Sequence, residues 1–243
     1  MKIETIIEEF LVAYPSMSLK PTSSMKYIIE GDFPVVAQFQ DDSATWVNRS
    51  FHLRIEVPIA YPDRIPIVYE MKQGAQIPTS PDYHKNNDDS LCLGSPLDLL
   101  IQLYQNPSLV VFANTCIAPH LASAILKKEK GISFKQGELK HYGEGLEENF
   151  ADFFGLNVPL KSLTLIFKRL GEKRRKANKQ PCPCGRKKLG ACTCILHRFI
   201  SSERRKKRFS RRFFRNVSKY YDCYINSQKE ESNSQNKSLA ISN

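Results

Sequence analysis

The first segment of the chain carries apolar residues at the spacing of one helical face. They recur three and four positions apart, at Ile3, Ile6, Ile7, Phe10 and Leu11, and this period places them on one side of an α-helix. Tyr14-Pro15 follows, and a proline there ends the helix because the residue before it avoids the α-helical region. The pattern therefore predicts an amphipathic helix at the start of the chain.

A period of two replaces the helical period in the next segments. After a linker rich in Ser, Thr and Pro, the run Pro34 to Gln40 is typical of a strand, and Phe51 to Val57 alternates apolar with polar residues. Pro58, Tyr61-Pro62 and Pro66 then predict a turn into a third strand, Ile67 to Met71. Three strands with short connections favour an antiparallel meander.

The helical period returns after residue 108, with Pro119 as a break or bend. Polar residues interrupt the apolar run from Ser108 to Leu126, which falls short of a convincing membrane span. We expect Cys116 to lie in the core and His120 to be a capping or packed residue.

Two further helices are predicted before residue 171. Residues 134–156 predict a glycine-punctuated turn holding His141, followed by a helix with Leu146, Phe150, Phe153 and Phe154 inward. A linking helix then carries Leu160, Leu163, Phe167 and Leu170.

Charge is distributed unevenly along the 243 residues. The chain has 36 Lys+Arg and 25 Asp+Glu; residues 171–243 hold 20 and 5 of them, a net of +15, which leaves −4 for residues 1–170. This asymmetry predicts a mildly acidic globular domain with a basic appendage that binds nucleic acid, an acidic protein or an anionic surface. The acidic N-terminal segment MKIETIIEEF excludes a signal or transit peptide there.

A cysteine-rich segment opens the basic region. The sequence PCPCGRKKLGACTCILH holds Cys182, Cys184, Cys192 and Cys194, with His197 close behind. Thiolate and imidazole ligands in two close pairs fit a tetrahedral Zn²⁺. We predict zinc on the four cysteines, with His197 as an alternative ligand; four unliganded thiols are the other interpretation. Clustered cysteines of this kind indicate a reducing compartment, and we expect the cytoplasm.

Basic residues interleave with aromatic residues after this segment. Phe209, Phe213, Val217 and Tyr221 are four apart and form one apolar stripe, while arginines and lysines project elsewhere. Such a helix can neutralise phosphates, or it can contact an acidic partner protein. The Ser, Asn, Gln and Lys composition beyond residue 225 predicts a disordered tail.

Cys92 lies in the sequence YHKNNDDSLCLGSP, at the end of a wholly polar segment. Such a segment predicts a surface loop, and Leu91 and Leu93 anchor it to a core while the cysteine stays at the rim. A thiol needs such a partly exposed setting to ionise. The alternative is a small core hydrophobe between two leucines.

The order of these features resembles the ubiquitin-conjugating (E2) fold. The residues that carry the resemblance are Val57-Pro58, Tyr61-Pro62, Ile65-Pro66, the His-x-Asn step at His84 and Asn86, and Leu91-Cys92-Leu93. The chain looks most like divergent bacterial E2-like proteins of ubiquitin-like conjugation and antiphage defence systems. The resemblance implies an α+β, UBC-like fold with an N-terminal helix, an antiparallel β-meander and C-terminal helices.

The resemblance also implies a thioester carrier. Cys92 would accept the C-terminus of a ubiquitin-like modifier, or another acyl donor, from a separate activating enzyme and pass it to an amine on a protein target. His84 would brace the loop, and Asn86 would support the loop or the oxyanion. No adenylation motif for self-activation is present.

This sequence departs from the family pattern around the histidine. Lys85 stands in the middle of the step, and the step lies two residues closer to the cysteine than is usual. Asn87 could serve in place of Asn86. Asp88 or Asp89 could orient an incoming amine, or the two carboxylates are solvated.

The resulting domain prediction has five parts. Residues 1–157 form the E2-like domain, 158–180 a linking helix, 181–198 a zinc knuckle, 199–225 a basic amphipathic helix and 226–243 a disordered tail. The knuckle resembles the SEC-C motif, although its third cysteine comes one residue early and its last pair is separated.

Two other functions remain open. One is a non-catalytic E2-like scaffold whose zinc and basic region binds nucleic acid or an acidic partner. The other is an unrelated cysteine hydrolase, which would need a third group to orient its histidine; the sequence offers no clear candidate. We expect no membrane partner.

Overall fold

The computed structural model describes residues 2–23, 25–39, 45–134, 143–223 and 225–226. The chain forms two compact units: Met1–Gly94 with Asp98–Glu138, and Ser95–Leu97 with Leu139–Asn243. The α+β class is confirmed, because the first unit combines an antiparallel sheet with helices.

The predicted N-terminal helix is confirmed as α1, Ile3–Ala13. Its buried residues, Ile6, Ile7 and Phe10, are three of those at the predicted helical spacing. The helix ends at Tyr14, whose backbone N–H donates to the carbonyl of Phe10. The apolar face of α1 thus belongs to the core of the first unit.

The sheet has four strands rather than the three predicted. They are β1 (Met17–Ser23), β2 (Lys26–Phe39), β3 (Thr45–Pro58) and β4 (Ile67–Glu70), antiparallel neighbours in chain order. Phe51, Leu53, Ile55 and Val57 of β3 are fully buried, as their alternation predicts. The meander is confirmed, with one strand more.

Strand β1 lies where the sequence predicts a linker, and that prediction is wrong. Polar residues and a proline mask the alternating sequence pattern of a strand in β1. Its backbone hydrogen bonds to β2 define the strand instead. Gly31 permits the close pairing, because a Cβ added there would lie 2.2 Å from the carbonyl oxygen of Ser16. Its φ of 152° is also one that glycine adopts readily.

Helices complete the first unit. After α2 (Pro96–Gln105), a 22-residue helix runs over Leu109–Lys130 as α3 (Leu109–Phe112), a π-helical turn (Ala113–Ile117) and α4 (Ala118–Lys130). Of the break or bend expected at Pro119, the break does not occur: the helix continues, and Pro119 lies in the first turn of α4, directly after the π-helical turn. By length and composition this helix could cross a membrane, but 67% of its apolar window is buried within the protein.

The second unit is helical, with α5 (Gly143–Phe154), α6 (Leu160–Gly171), α7 (Arg174–Ala177) and α8 (Ile195–Lys206). Residues 211–223 form a further helix, α9. The ring of Phe150 on α5 lies 5.6 Å from that of Phe167 and 5.7 Å from that of Phe199. Since these contacts place α5 in the second unit, the units differ from the predicted division at residue 157.

The predicted basic helix over residues 199–225 is two helices. Lys207 adopts a left-handed conformation and caps α8, and α9 starts four residues later. Phe213, Val217 and Tyr221 are buried along α9, as the apolar stripe predicts. His141 and the predicted tail beyond Asn226 lie outside the described residues.

Candidate active site and metal centre

The Cys92 loop is closed by backbone hydrogen bonds. It follows a short 3-10 turn, Pro81–Tyr83. The N–H of Cys92 donates to the carbonyl of His84 at 2.7 Å, and the N–H of Leu91 donates to Val68 of β4 at 2.8 Å. Residues 84–92 therefore form a closed loop fixed to the edge of the sheet, with the cysteine at its end.

Cys92 is partly buried. Burial raises the pKa of this thiol, and a hydrogen bond from the backbone of Gly94 opposes that rise in part. The thiol is consequently a weaker acid than an exposed cysteine, so less of it is thiolate at neutral pH.

The backbone carbonyl of His84 accepts the hydrogen bond from the N–H of Cys92. His84 has a φ of 51°, in the left-handed region. Its ring packs edge-on against Phe134, with centroids 4.4 Å apart. These contacts make His84 a structural part of the loop, consistent with a brace.

Asn86 and the aspartates hold the far end of the loop. The Asn86 amide donates to the hydroxyl of Ser90 at 2.9 Å, and the carboxylate of Asp88 accepts from the same hydroxyl at 2.6 Å. Asp89 lies 3.7 Å from the amine of Lys72, and Asn87 is exposed. In this structure Asn86 and Asp88 shape the loop around Ser90.

A buried ion pair beneath the loop was not anticipated from the sequence. Lys85 and Glu70 have side-chain exposures of 4% and 2%, with amine and carboxylate 3.2 Å apart. Glu70 also accepts from the backbone N–H groups of Gln76 and Ile77, and Lys85 donates to the Ile77 carbonyl. The only sequence signal was Lys85 in the middle of the His-x-Asn step.

His120 is buried beside the loop, as a packed histidine. Burial lowers its pKa to about 3, and the charges of His84 and Lys85 add to this effect. Its Nε2 has no hydrogen-bond partner among the described residues. His120 is therefore neutral at physiological pH. Cys116 is buried, as expected, with its thiol 3.0 Å from the amide oxygen of Gln102.

The four predicted metal ligands converge in the second unit. The sulfur atoms of Cys182, Cys184, Cys192 and Cys194 all lie within 4.8 Å of one another. Those of Cys182 and Cys194 are 3.6 Å apart, and those of Cys184 and Cys192 are 3.5 Å apart. A tetrahedral ion with metal–sulfur bonds of about 2.3 Å needs sulfur separations of about 3.8 Å, so the cluster fits a metal ion.

Local backbone structure turns N–H groups towards these sulfurs. Cys194 is the N-cap of α8, and its sulfur accepts from the N–H of His197 at 3.5 Å. The backbone N–H of Arg186 hydrogen-bonds to Cys184 and lowers the pKa of that thiol to about 6. Backbone donors of this kind stabilise thiolates, the form that binds metal.

His197 does not join the cluster. It contributes its backbone N–H, while its ring Nε2 lies 3.4 Å from the hydroxyl of Ser201. Within the described residues, the imidazole of His197 is therefore not part of the group of four sulfur ligands.

No protein-family profile, curated protein or solved structure matches this chain. Its function is therefore inferred from its residues and their geometry.

Proposed function

We propose that this protein is an E2-like carrier that holds a ubiquitin-like modifier, or another C-terminal acyl group, as a thioester on Cys92. A separate activating enzyme supplies the acyl group, and an amine on a protein target receives it. The observation that carries the proposal is the partly buried Cys92 at the end of a closed loop, itself fixed over a buried ion pair.

The order of elements supports this proposal. An N-terminal helix, a four-stranded antiparallel meander, a cysteine loop and then helices follow one another along the first unit. The UBC-like fold implied by the sequence resemblance has this same arrangement. Within it, His84 braces the loop, and Asn86 supports the loop through Ser90.

The reduced acidity of the Cys92 thiol suits a thioester carrier. A thiol with a raised pKa yields a more nucleophilic thiolate and a poorer leaving group, as in thiol–disulfide exchange. Its thioester would lose the acyl group more slowly before a target amine arrives. The transfer itself divides one difficult acyl transfer into two easier steps.

The four cysteines of the second unit would hold zinc, as a structural ion. Four sulfur ligands leave no open coordination position for a substrate or water. The ion would cross-link the knuckle, and its binding free energy would serve as folding free energy for this segment. We assign the zinc segment and its basic surroundings to the recruitment of a partner.

Reconstitution tests the carrier function. The purified chain is incubated with a candidate activating enzyme, its ubiquitin-like protein and ATP, and is followed by non-reducing electrophoresis. We expect an adduct that thiol reductant removes and that Cys92→Ala abolishes. Cys223→Ala is the matched control, because Cys223 is an exposed thiol outside the loop. Absence of the adduct with a competent partner set would favour the scaffold.

A further inference from the structure

Two arginines from different helices meet at the C-terminal end of α6. The guanidinium of Arg204 on α8 donates to the carbonyls of Arg169 and Glu172. That of Arg215 on α9 donates to the carbonyl of Gly171 at 3.2 Å. These bonds satisfy the last carbonyls of α6 and fix α8 and α9 at one place in the second unit.

Further positive charge gathers around Arg204. Burial lowers the pKa of this guanidinium, the charges of Arg174 on α7 and Arg211 on α9 lower it further, and the charge of Glu172 opposes these effects. Arg174 follows Glu172, whose carbonyl Arg204 contacts, by two residues, and Arg211 lies one helical turn before Arg215, which contacts Gly171. Three helices therefore each place an arginine in the same region. Three arginines beside one carboxylate, Glu172, still repel one another, and an added anion relieves that repulsion.

Carboxylates nearby already have partners. Glu172 lies 3.0 Å from the guanidinium of Arg169, and Glu203 is within 2.8 Å of both Lys206 and Arg208. Arg174 and Arg211 are themselves exposed. The cluster thus offers net positive charge to solvent.

The surrounding surface favours a polyanion over a protein. Exposed lysines and arginines continue along α7, through the knuckle turn and across residues 205–208. In the described part of the second unit, the large hydrophobic residues that are exposed are Ile195 and Tyr220. Protein interfaces carry an apolar, desolvated centre, whereas nucleic-acid interfaces are polar and strongly positive.

We propose that Arg174, Arg204 and Arg211 form a cradle for the phosphodiester backbone of a nucleic acid. Arg204 is fixed by the α6 carbonyls, while Arg174 and Arg211 reach outward to phosphate oxygens, which guanidinium groups contact in a bidentate manner. Contacts to phosphate give affinity without sequence preference. This binding site belongs to the second unit and Cys92 to the first, and the proposal does not depend on the carrier function.

Binding of labelled oligonucleotides to the full chain tests the cradle. Fluorescence anisotropy is measured with single-stranded RNA, single-stranded DNA and duplex DNA over a range of salt concentrations. The variant Arg174→Gln/Arg211→Gln keeps Arg204 and its structural bonds. We expect at least a tenfold loss of affinity near 0.1 M salt, and a salt slope smaller by about two.

The control variant is Lys161→Gln/Lys219→Gln, which removes the same charge from exposed positions of the second unit. Lys161 is ten residues from Gly171, about 15 Å along α6. We expect it to lose less than threefold in affinity. If the native chain prefers RNA or DNA and the arginine variant loses that preference, the result would support the cradle. It would also identify which nucleic acid the cradle binds.

Three results would overturn the proposal. They are absence of nucleic-acid binding by the native chain, equal losses in the two variants, and tighter binding of a poly-glutamate peptide than of every oligonucleotide. Thioester formation on Cys92 is assayed separately on the same variants, so failure of one function is distinguishable from failure of the other.

Discussion

At Cys92, partial exposure favours reaction of the thiol, whereas its reduced acidity opposes it. Cys92 is not fully buried, yet burial raises the pKa of its thiol, and the backbone hydrogen bond of Gly94 opposes that rise in part. A raised thiol pKa means that the neutral form persists to higher pH than in an unstructured chain. The loop that holds Cys92 was predictable from the polar segment before Leu91, but the acidity of its thiol depends on three-dimensional burial.

The pH at which Cys92 becomes reactive should therefore be higher than for an unstructured cysteine. We expect alkylation by iodoacetamide to rise with pH and to level off at a higher pH than in a peptide of residues 83–96, because only thiolate reacts. Peptide mapping by mass spectrometry measures the rate at Cys92 from neutral to alkaline pH. A midpoint at or below that of the peptide would contradict the assigned burial.

Lys85 and Glu70 show what sequence reasoning misses at this scale. A lysine in a polar loop is normally solvated, and nothing in the sequence links it to a glutamate fifteen positions earlier. The structure buries both, and two backbone N–H groups also bind the carboxylate. The His-x-Asn step was recognisable, but the ion pair that supports it was not.

Removing Lys85 should destabilise the first unit. We expect Lys85→Met to lower the free energy of unfolding by about 3–5 kcal/mol, because Glu70 would remain buried without its counter-charge. Urea denaturation of the full chain, followed by tryptophan fluorescence, measures the change. The matched control is Lys72→Met, since Lys72 is 93% exposed and pairs loosely with Asp89; it should change little. Equal effects would contradict the buried pair.

Among the elements, the cluster of four cysteines was the easiest to predict and β1 the hardest. Two Cys-x-Cys pairs separated by a basic turn restrict the thiols to a small volume, whatever the surrounding fold. Strand β1 has no such signal, because its pairing with β2 comes from backbone hydrogen bonds and from Gly31. The local pattern there is dominated by polar residues and a proline.

Metal removal should unfold the knuckle. We expect about one zinc per chain, and loss of amide protection in residues 178–200 after chelation, since the segment has few other buried residues to hold it. Hydrogen exchange with mass spectrometry gives the local readout. Cys184→Ser should reproduce the effect without chelator, whereas Ser201→Ala should not.

Unchanged zinc content in Cys184→Ser would contradict the four-cysteine assignment. Retained protection after complete chelation would show that the segment folds without the ion.

For the whole molecule, net charge differs between the two units to which we assign the two proposed activities. The mildly acidic first unit carries the cysteine loop, and the basic second unit carries the metal ligands and the arginine cluster. The charge asymmetry and the class of fold could be predicted from composition and periodicity. The limits of the units could not, because the aromatic contacts of Phe150 with Phe167 and Phe199 join segments distant in sequence.

The carrier function is tested most directly by the intact mass of the Cys92→Ser chain after incubation with the activating enzyme, the modifier and ATP. The serine oxygen would form an ester, so the mass should increase by that of the modifier less one water, and reductant should not remove it. Native protein should show the same increase, reversed by reductant. An adduct that persists in Cys92→Ala, or no adduct on either chain with competent partners, would contradict the account.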